Sequence, residues 1–389
     1  MWRQDCCPIC GSSGDRCDVA TVRGIPARVG IVSRDRDEAV ALPKGDLQLA
    51  LCRRCGYVGN AAFDPSLLYF GPGYEASLHQ SPTYRRFLDA LADGLARRFG
   101  GPNKQVLEIG CGSGYFLERL VSAGFQAGIG IDPAAPRGRP RAGADVTYIP
   151  EPYDDRQRHI RADLVCCRHT LHAMVDPLAV VTQARGAVAD TRGAVYLEVP
   201  NANDIFAQGA VWRLMYEYAS YFTNHSLANL LRACECSVIE AGPCFEGGQY
   251  VSAIGEPAEQ PAAKIDPPPA AFLASAEAFG RGLSATVQSW EVVVRGLLDE
   301  GRRVAIWGAG GRGLNFLTLV PSCREVKHIV DIGPQRQGGF VPESGQLIEA
   351  PESLIRQPPD TVIVTNATYL DEVRTQLADL GLEPELLTL

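Results

Sequence analysis

Residues 106–114 restrict the fold of this chain more than any other segment, because an apolar run leads directly into a glycine-rich turn. The turn contains Gly110, Gly112 and Gly114, and a stretch of helical character follows it. Glycine permits the sharp turn and lets its backbone approach a ligand closely. A second apolar run ends at Asp132. This order predicts a βαβ unit with a ligand site at the carboxyl ends of parallel strands.

The spacing within this unit distinguishes two kinds of nucleotide site. Nicotinamide enzymes usually carry G-x-G-x-x-G at the turn, whereas this chain has E-x-G-x-G-x-G beginning at Glu108. The second pattern is the signature of S-adenosylmethionine (SAM) binding in class I methyltransferases. Asp132 stands where a carboxylate would accept hydrogen bonds from both ribose hydroxyls. The predicted SAM-binding residues are Glu108, Gly110, Gly112, Gly114 and Asp132.

Two C-x-x-C-G pairs occur in the N-terminal region. Cys7 and Cys10 form the first pair, and Cys52 and Cys55 form the second. Each pair can place two thiolates on one ion, so together they predict a tetrahedral structural zinc site; the alternative is a set of unligated thiols. Cys6 competes with Cys7, but only Cys7 leaves two residues before Cys10. A site closed by four thiolates should stabilise the fold and not catalyse.

The bulk properties of the chain exclude several classes of protein. A net charge of -8 over 389 residues argues against non-specific nucleic-acid binding, which needs clustered basic residues. No apolar run approaches the ~20 residues needed to span a bilayer, and the N-terminus does not resemble a signal peptide. We therefore expect a cytoplasmic protein whose 13 cysteines are mostly reduced. The oligomeric state is left open.

Changes in composition and periodicity predict an α/β protein with three modules. Residues 1–70 form a zinc-binding module, residues 71–254 a SAM-binding Rossmann-like domain, and residues 255–389 a proline-rich linker followed by a second Rossmann-like domain. Local periodicity places the individual elements within these modules. Predicted strands are residues 29–33, 47–51, 162–166, 194–199 and 361–366. Predicted helices are residues 82–99 and 272–298.

The third module contains a second glycine-rich turn. Gly308, Gly310 and Gly313 follow the G-x-G-x-x-G pattern, and Asp331 ends the next apolar run at nearly the spacing seen in the second module. The similarity indicates an old duplication. Two functions fit the turn equally, since it could bind a nucleotide or only allow close packing of a helix on a strand.

This order of modules resembles the three-module C-methyltransferases that act on nucleotide-linked deoxysugar ketones in antibiotic biosynthesis. The resemblance covers essentially the whole chain and depends on the cysteine pairs and both glycine turns. Further matching segments are residues 77–82, 176–177, 220–222 and 248–250. It implies a small-molecule acceptor such as a nucleotide-sugar, methyl transfer to carbon, and S-adenosylhomocysteine (SAH) as product. Tyr74 stands where the family has an active-site tyrosine; the alternative is an aromatic residue that packs the domain junction.

The resemblance also implies a base that removes the proton α to a carbonyl. In the family this is a histidine in a Tyr-His-Glu-His-x-Ser-Tyr-Phe stretch, and another histidine follows the fourth strand. This chain has Tyr218 after Glu217 at the first position and Ala173 at the second, with His172 one residue early. A phenol has a pKa of about 10, so Tyr218 should be mostly protonated near neutrality.

Three interpretations of this departure follow. Tyr218, oriented by Glu217, acts as acid or base on a substrate with a labile proton; or His225, His172 or His169 has taken over the role. In the third, the enzyme methylates oxygen or nitrogen, or uses SAM for non-methyl chemistry. A protein of another class, an inert SAM- or nucleotide-binding partner, also fits the missing histidines. Strand order in a parallel sheet places Arg168 and His169 near the cofactor or substrate.

Overall fold

The computed structural model describes residues 2, 6–74, 79–137, 145–191, 193–259 and 264–389. Ser77 and Leu78, which belong to one of the family-like segments, lie outside the described residues. Within these ranges the strands form three sheets of four, seven and five strands. None of the helices in these ranges has the length and apolar character needed to cross a membrane.

The first sheet is antiparallel and joins two parts of the chain. Its strands are β1 (Arg16–Pro26), β2 (Lys44–Cys52), β3 (Val58–Asn60) and, from much later in the sequence, β9 (Ser220–Tyr221). The predicted strand at residues 47–51 lies inside β2. A short helix, α1 (Arg36–Val40), separates β1 from β2. The first module is therefore completed by a strand from the second.

Residues 29–33, which the sequence predicts as a strand, are not one. The backbone N–H groups of Val29 and Gly30 donate to the Glu217 carboxylate at 2.8 and 3.3 Å. Ser33 pairs only through an isolated bridge with Phe340. Because a side chain and not a neighbouring strand satisfies these donors, the apolar composition does not produce a strand here.

The second sheet has the order β10-β11-β8-β7-β4-β5-β6. Its strands are β4 (Gly101–Ile109), β5 (Phe125–Ile131), β6 (Val146–Ile149), β7 (Leu164–Arg168), β8 (Ala194–Pro200), β10 (Cys236–Cys244) and β11 (Tyr250–Pro257). Strands β4 to β8 are parallel, whereas β11 runs antiparallel to β8 and β10 antiparallel to β11. The carboxyl ends of β4, β5, β7 and β8 therefore meet at one edge, where a ligand is expected.

Helices cover this sheet and begin at well-defined caps. They are α2 (Pro82–Phe99), α3 (Tyr115–Ala123), α4 (Pro177–Val188), α5 (Ala202–Ala207) and α6 (Asn224–Ala233). Helix α2 is the predicted amphipathic helix; the Ser81 hydroxyl accepts from its first turn, and its apolar side is buried. The cap of α6 is Thr223, whose side chain forms a capping box with Ser226.

The third sheet is entirely parallel, with the order β14-β13-β12-β15-β16. Its strands are β12 (Val304–Trp307), β13 (His328–Val330), β14 (Ile348–Glu349), β15 (Thr361–Val364) and β16 (Glu385–Thr388). Its helices are α7 (Ala270–Asp299), α8 (Gly311–Leu319) and α9 (Leu370–Asp379). A parallel sheet with crossover helices is the Rossmann-like arrangement that the second glycine turn predicts.

Apolar packing connects the three modules. One buried cluster contains residues of β1, β2, α7 and α8 together with the segment 202–221. A second cluster joins Cys7, Cys52 and Cys55 to core residues of the central sheet. We keep residues 1–70, 71–254 and 255–389 as proposed module limits, with β9 as the strand that crosses the first of them.

Candidate functional site

A cleft of about 460 Å³ lies where the three modules meet. The glycine turns of the second and third modules both line it. The remaining walls come from the first module, from α2 and α9, and from the segments that follow β7 and β8. Sequence-predicted candidates on its walls are Tyr74, Glu108, Gly110, Gly112, Asp132, Arg168, His169, His172, Glu217 and Tyr218.

The first glycine turn is tied to Asp132. The Asp132 carboxylate accepts hydrogen bonds from the backbone N–H of Gly112 at 3.0 Å and of Ala134 at 2.7 Å. Gly110 has a φ of 74°, and a Cβ there would lie 1.9 Å from the Thr170 hydroxyl, so only glycine fits. Gly112 has no atom within 4 Å of an added Cβ. The turn is therefore closed behind Gly110 and open to the cleft at Gly112.

Two buried polar atoms beside this turn have no hydrogen-bond partner in the described structure. They are Oε2 of Glu108, which is 3% exposed, and Nε of Arg168. Burying such atoms without a partner costs about 1–3 kcal/mol or more each. A ligand with an ammonium and a carboxylate group, as in the methionine part of SAM, would satisfy both. The chemistry of the cleft therefore fits SAM.

Protonation of Glu108 should make SAM affinity depend on pH. Burial raises the pKa of Glu108 to about 8, so the carboxyl is mostly neutral at pH 7. A cationic ligand favours the ionised form, so we expect affinity to rise with pH, up to about tenfold per unit below that pKa. Calorimetry in buffers of different ionisation heat should detect a released proton. A Glu108→Gln variant should lose this proton release; equal release by both proteins would contradict the assignment.

A buried ion pair holds the neighbouring strand ends. The Glu198 carboxylate accepts from Arg168 at 2.7 Å and from Tyr196 at 2.7 Å, and lies 3.0 Å from the His169 imidazole. Burial alone would raise the pKa of Glu198, but Arg168 and His169 reverse this and lower it to about 2. The ring of His169 also meets that of Tyr250, with centroids 4.3 Å apart. Arg168 and His169 thus lie at the carboxyl end of β7, on the wall of the cleft.

Four of the five predicted catalytic residues lie together where the cleft borders the first module: Tyr74, His172, Glu217 and Tyr218. The Tyr74 hydroxyl donates to Oε2 of Glu217 at 2.9 Å, and the rings of Tyr218 and His172 meet at 4.1 Å between centroids. Burial raises the pKa of Glu217 to about 7 and raises that of Tyr218 above its usual range. Gly30 makes room for Tyr74, since a Cβ there would lie 2.1 Å from the phenol ring.

His225 lies apart from this group. It is not among the described residues that line the cleft, and its Nε2 lies 2.9 Å from the Asp266 carbonyl oxygen. His79 stacks on Tyr115, which does line the cleft, at 5.1 Å between centroids. Of the three candidate histidines, His172 and His169 are therefore in the cleft and His225 is not.

The second glycine turn repeats the geometry of the first. The Asp331 carboxylate accepts from the backbone N–H of Ala309 and of Gly333, both at 2.7 Å. A Cβ at Gly308 would lie 2.4 Å from the hydroxyl of Thr365, which follows the adjacent strand. Each contact has its counterpart around Asp132 in the second module. Close packing of helix on strand does not by itself require this carboxylate arrangement.

Three arginines that sequence reasoning missed also line the cleft: Arg213, Arg312 and Arg336. Arg312 donates to the side-chain oxygens of Asn366, at 2.8 Å, and of Gln249. Within the described ranges it has no carboxylate partner. Burial, together with Arg213, lowers the pKa of Arg312 to about 10, which still leaves it cationic. Its position inside the second glycine turn was the available signal.

The four predicted zinc ligands form a separate cluster. Their Sγ atoms all lie within 4.8 Å of one another, and the distances are 3.5 Å from Cys7 to Cys55 and 3.7 Å from Cys10 to Cys52. Tetrahedral zinc with bonds of about 2.3 Å requires sulfur atoms about 3.8 Å apart. The Cys6 thiol instead points to the Gly11 carbonyl oxygen. The geometry and chemistry of the cluster therefore fit zinc.

Two family models match the chain. Residues 83–241 match a model described as a methyltransferase domain. Residues 272–383 match a model described as a C-methyltransferase C-terminal domain. Together with the sheet order, these matches confirm the fold class predicted from the sequence.

Individual proteins are similar to parts of this chain, each over less than half of its length. The tRNA U34 carboxymethyltransferase of Dichelobacter nodosus (strain VCS1703A) is 33% identical over 114 residues, which cover 27% of this chain and 33% of that protein. The chain thus spans about a third of this relative. Magnesium protoporphyrin IX methyltransferase from Synechocystis PCC 6803 is 17% identical over 45% of this chain and 82% of its own, with a TM-score of 0.34. The 1,6-didemethyltoxoflavin-N1-methyltransferase of Burkholderia thailandensis is 16% identical over 46% of this chain and 82% of its own, with a TM-score of 0.35.

Proposed function

We propose that this chain, which is a SAM-dependent methyltransferase, methylates a carbon next to a carbonyl in a nucleotide-linked sugar or a related specialised-metabolite intermediate. The description of the second family model supports transfer to carbon. The second glycine turn is the main support for a nucleotide-linked acceptor. It lines the same cleft as the first turn, and the Asp331 carboxylate accepts two backbone hydrogen bonds there as Asp132 does at the first turn.

In this proposal the second module holds SAM. Asp132 would accept from the ribose, Gly110 and Gly112 would form the floor of the site, and Glu108 and Arg168 would face the methionine part. Gly114 is not among the described residues that line the cleft; it lies behind the turn, where a Cβ would meet the Tyr148 hydroxyl. The unsatisfied atoms of Glu108 and Arg168 support this arrangement. When bound, SAM supplies a methyl group on a positively charged sulfur. The residues of the chain then have to orient the acceptor, exclude water and accept a proton.

The third module would hold the acceptor. Asp331 stands at the end of β13 as Asp132 stands at the end of β5, which suits a second ribose. Arg312 lies in the first turn of α8, where the helix dipole also favours an anion. A half-buried cation without a carboxylate partner in the described structure is best satisfied by a negatively charged ligand. Nucleoside diphosphates have both groups.

Replacing Arg312 should weaken nucleotide binding selectively. We expect Arg312→Ala to raise the Kd for thymidine or uridine diphosphate by about 10- to 100-fold, the effect of losing one charge-assisted hydrogen-bonding group. Calorimetry would measure this, with SAH affinity unchanged. Arg303→Ala is the matched control, because Arg303 pairs with Asp360 instead of lining the cleft. Equal affinities in both variants would contradict a role for Arg312.

The reaction itself can be tested with two ketones, the thymidine and uridine diphosphate esters of 4-keto-6-deoxyglucose. We expect mass spectrometry to show a gain of one methyl group in the presence of SAM, and NMR to place it on the carbon next to the ketone. A methyl group on oxygen or nitrogen would favour the alternative chemistry. No methylation of either ketone would contradict the proposed substrate class.

The cysteine cluster is proposed to bind structural zinc. Its position supports this role, because Cys7, Cys52 and Cys55 are buried in the core that the first module shares with the central sheet. The cluster is not among the described groups that line the cleft. Zinc would therefore stabilise the contact between modules and take no part in methyl transfer.

A further inference from the structure

We infer that Glu217 is the base that takes the proton from the acceptor carbon, and that the Tyr218 hydroxyl donates a hydrogen bond to the enolate oxygen formed. The inference rests on the proposed function, because it assigns the proton transfer of that same reaction. In the resembled family a histidine stands at the position of Tyr218. Because Tyr218 replaces that histidine here, another side chain has to accept the proton.

The position of Glu217 suits a proton acceptor. Its side chain lines the cleft and is 4% exposed. Oε1 accepts two hydrogen bonds, from the N–H groups of Val29 and Gly30, which fill its two lone-pair sites. Oε2 accepts one, from the Tyr74 hydroxyl, among the residues described. One acceptor site on Oε2 therefore remains for a proton from the substrate.

The acidity of Glu217 also fits this role. Burial raises its pKa to about 7, while Tyr74, the two backbone donors and Arg336 limit the rise. Tyr218 is the other titratable group that faces it. A base with a pKa near the working pH is both sufficiently ionised and sufficiently strong. The same hydrogen bonds hold the carboxylate in a fixed orientation, so little reorganisation accompanies the proton transfer.

Tyr218 suits the complementary role of donor. Its side chain lines the cleft, and its hydroxyl has no hydrogen-bond partner in the part of the chain that the structure describes. Burial raises its pKa, so the phenol keeps its proton and can donate it in a hydrogen bond. The His172 ring packs against the phenol ring in a T-shaped contact, with the ring centroids 4.1 Å apart, and so helps to fix its position. A neutral donor aimed at a developing oxyanion is a strong source of rate enhancement.

The histidines are less suitable as the base. Burial and His169 lower the pKa of His172 well below its usual value, so it is a weak base, and its Nδ1 is enclosed without a partner in the described structure. His169 is held by Glu198 at 3.0 Å. His225 contacts the Asp266 carbonyl oxygen, away from the described walls of the cleft.

Proton transfer to Glu217 converts the acceptor ketone into its enolate. The carbon–hydrogen bond next to the ketone breaks, and its proton passes to Oε2 of Glu217. The electron pair of that bond forms a carbon–carbon double bond, and the carbonyl π pair moves onto oxygen, which accepts from the Tyr218 hydroxyl. The enolate carbon becomes the nucleophile for the methyl group. The protonated Glu217 returns its proton to water after the product leaves.

The test is exchange of the ketone's α hydrogen with solvent deuterium, with SAH in place of SAM so that methyl transfer cannot follow. The two nucleotide-linked 4-keto-6-deoxyglucoses serve as probes, and NMR measures the rate. We expect Glu217→Gln to lower the exchange rate by about 100-fold or more, and Tyr218→Phe by about 100-fold. Thermal melting and SAH affinity of both variants should match the wild type.

A Tyr74→Phe variant separates a base from a merely structural carboxylate. Loss of the Tyr74 donor should raise the pKa of Glu217, so the rising limb of the exchange rate against pH should move to higher pH. A structural role for Glu217 would not move this limb. This variant also decides the matter if Glu217→Gln fails to fold.

Four outcomes would overturn the inference, and the first two concern Glu217 directly. Exchange that persists in Glu217→Gln, or an unmoved pH limb in Tyr74→Phe, would remove Glu217 as the base. Exchange lost in His172→Asn but kept in Glu217→Gln would assign the base to His172. No exchange of either ketone by the wild type would overturn this inference and the proposed substrate class together, which distinguishes that failure from the first two.

Discussion

Replacing Cys52 by serine is expected to remove zinc from the protein and to unfold much of the first module. The purified wild type should hold about one zinc per chain, as four thiolates in a tetrahedral cluster require. Structural zinc contributes about 10–16 kcal/mol in isolated zinc-binding peptides. If only half of that stabilises this chain, the thermal midpoint should fall by more than about 10 °C.

The structure explains why the effect should reach beyond the cysteine cluster. The turn between Cys52 and Cys55 leads into β3, and β3 pairs with β9. The Tyr57 hydroxyl also contacts that of Ser220 at 2.9 Å. Strand β9 directly follows the loop with Glu217 and Tyr218. Loss of zinc should therefore disturb the acceptor side of the cleft first.

Metal analysis and thermal melting would check this prediction. Cys6→Ser is the matched control, because Cys6 is adjacent to Cys7 but its thiol points to the Gly11 carbonyl oxygen. The control should keep both the zinc and the melting temperature. A wild-type protein without zinc, or a Cys52→Ser variant that melts like the control, would show that the cluster does not bind a structural ion.

Replacing Asp132 by alanine should weaken SAM binding by about 100-fold. The carboxylate is held by the N–H groups of Gly112 and Ala134, so it is already oriented at the strand end where ribose hydroxyls would donate to it. Losing two hydrogen bonds to a charged acceptor, at about 1.5 kcal/mol each, corresponds to a change of this size. Calorimetric titration with SAM would measure it.

Asp331→Ala provides a matched control within the same chain. Asp331 makes the same pair of backbone hydrogen bonds in the second glycine turn. Its loss should leave SAM affinity unchanged and should weaken binding of thymidine or uridine diphosphate. If instead Asp331→Ala weakened SAM binding and Asp132→Ala did not, the assignment of the two turns would have to be exchanged.

Features encoded by neighbouring residues could be predicted from the sequence. The turn at residues 108–114, the two cysteine pairs and the helix at residues 82–99 each depend on local spacing and periodicity. The second glycine turn was found in the same way. The structure adds that Asp331 repeats the contacts of Asp132, which no spacing rule could have stated.

Features that depend on contacts between distant segments could not be predicted. The bond from Val29 to Glu217 joins residues 188 positions apart. It explains why residues 29–33 are not a strand and why Glu217 is oriented by the first module. Arg312 likewise becomes notable only because folding places it in the wall of the cleft without a carboxylate partner in the described structure. Sequence reasoning paired Glu217 with Tyr218, whereas the side chain that donates a hydrogen bond to Glu217 is that of Tyr74.

A crystal structure with bound SAH would show directly whether the first glycine turn holds the cofactor. We expect the ribose hydroxyls to donate to Asp132 and the methionine part to face Glu108 and Arg168. The sulfur should be directed toward the side of the cleft that holds Glu217 and Tyr218. SAH bound at the second glycine turn, or a first turn left empty at saturating SAH, would contradict it.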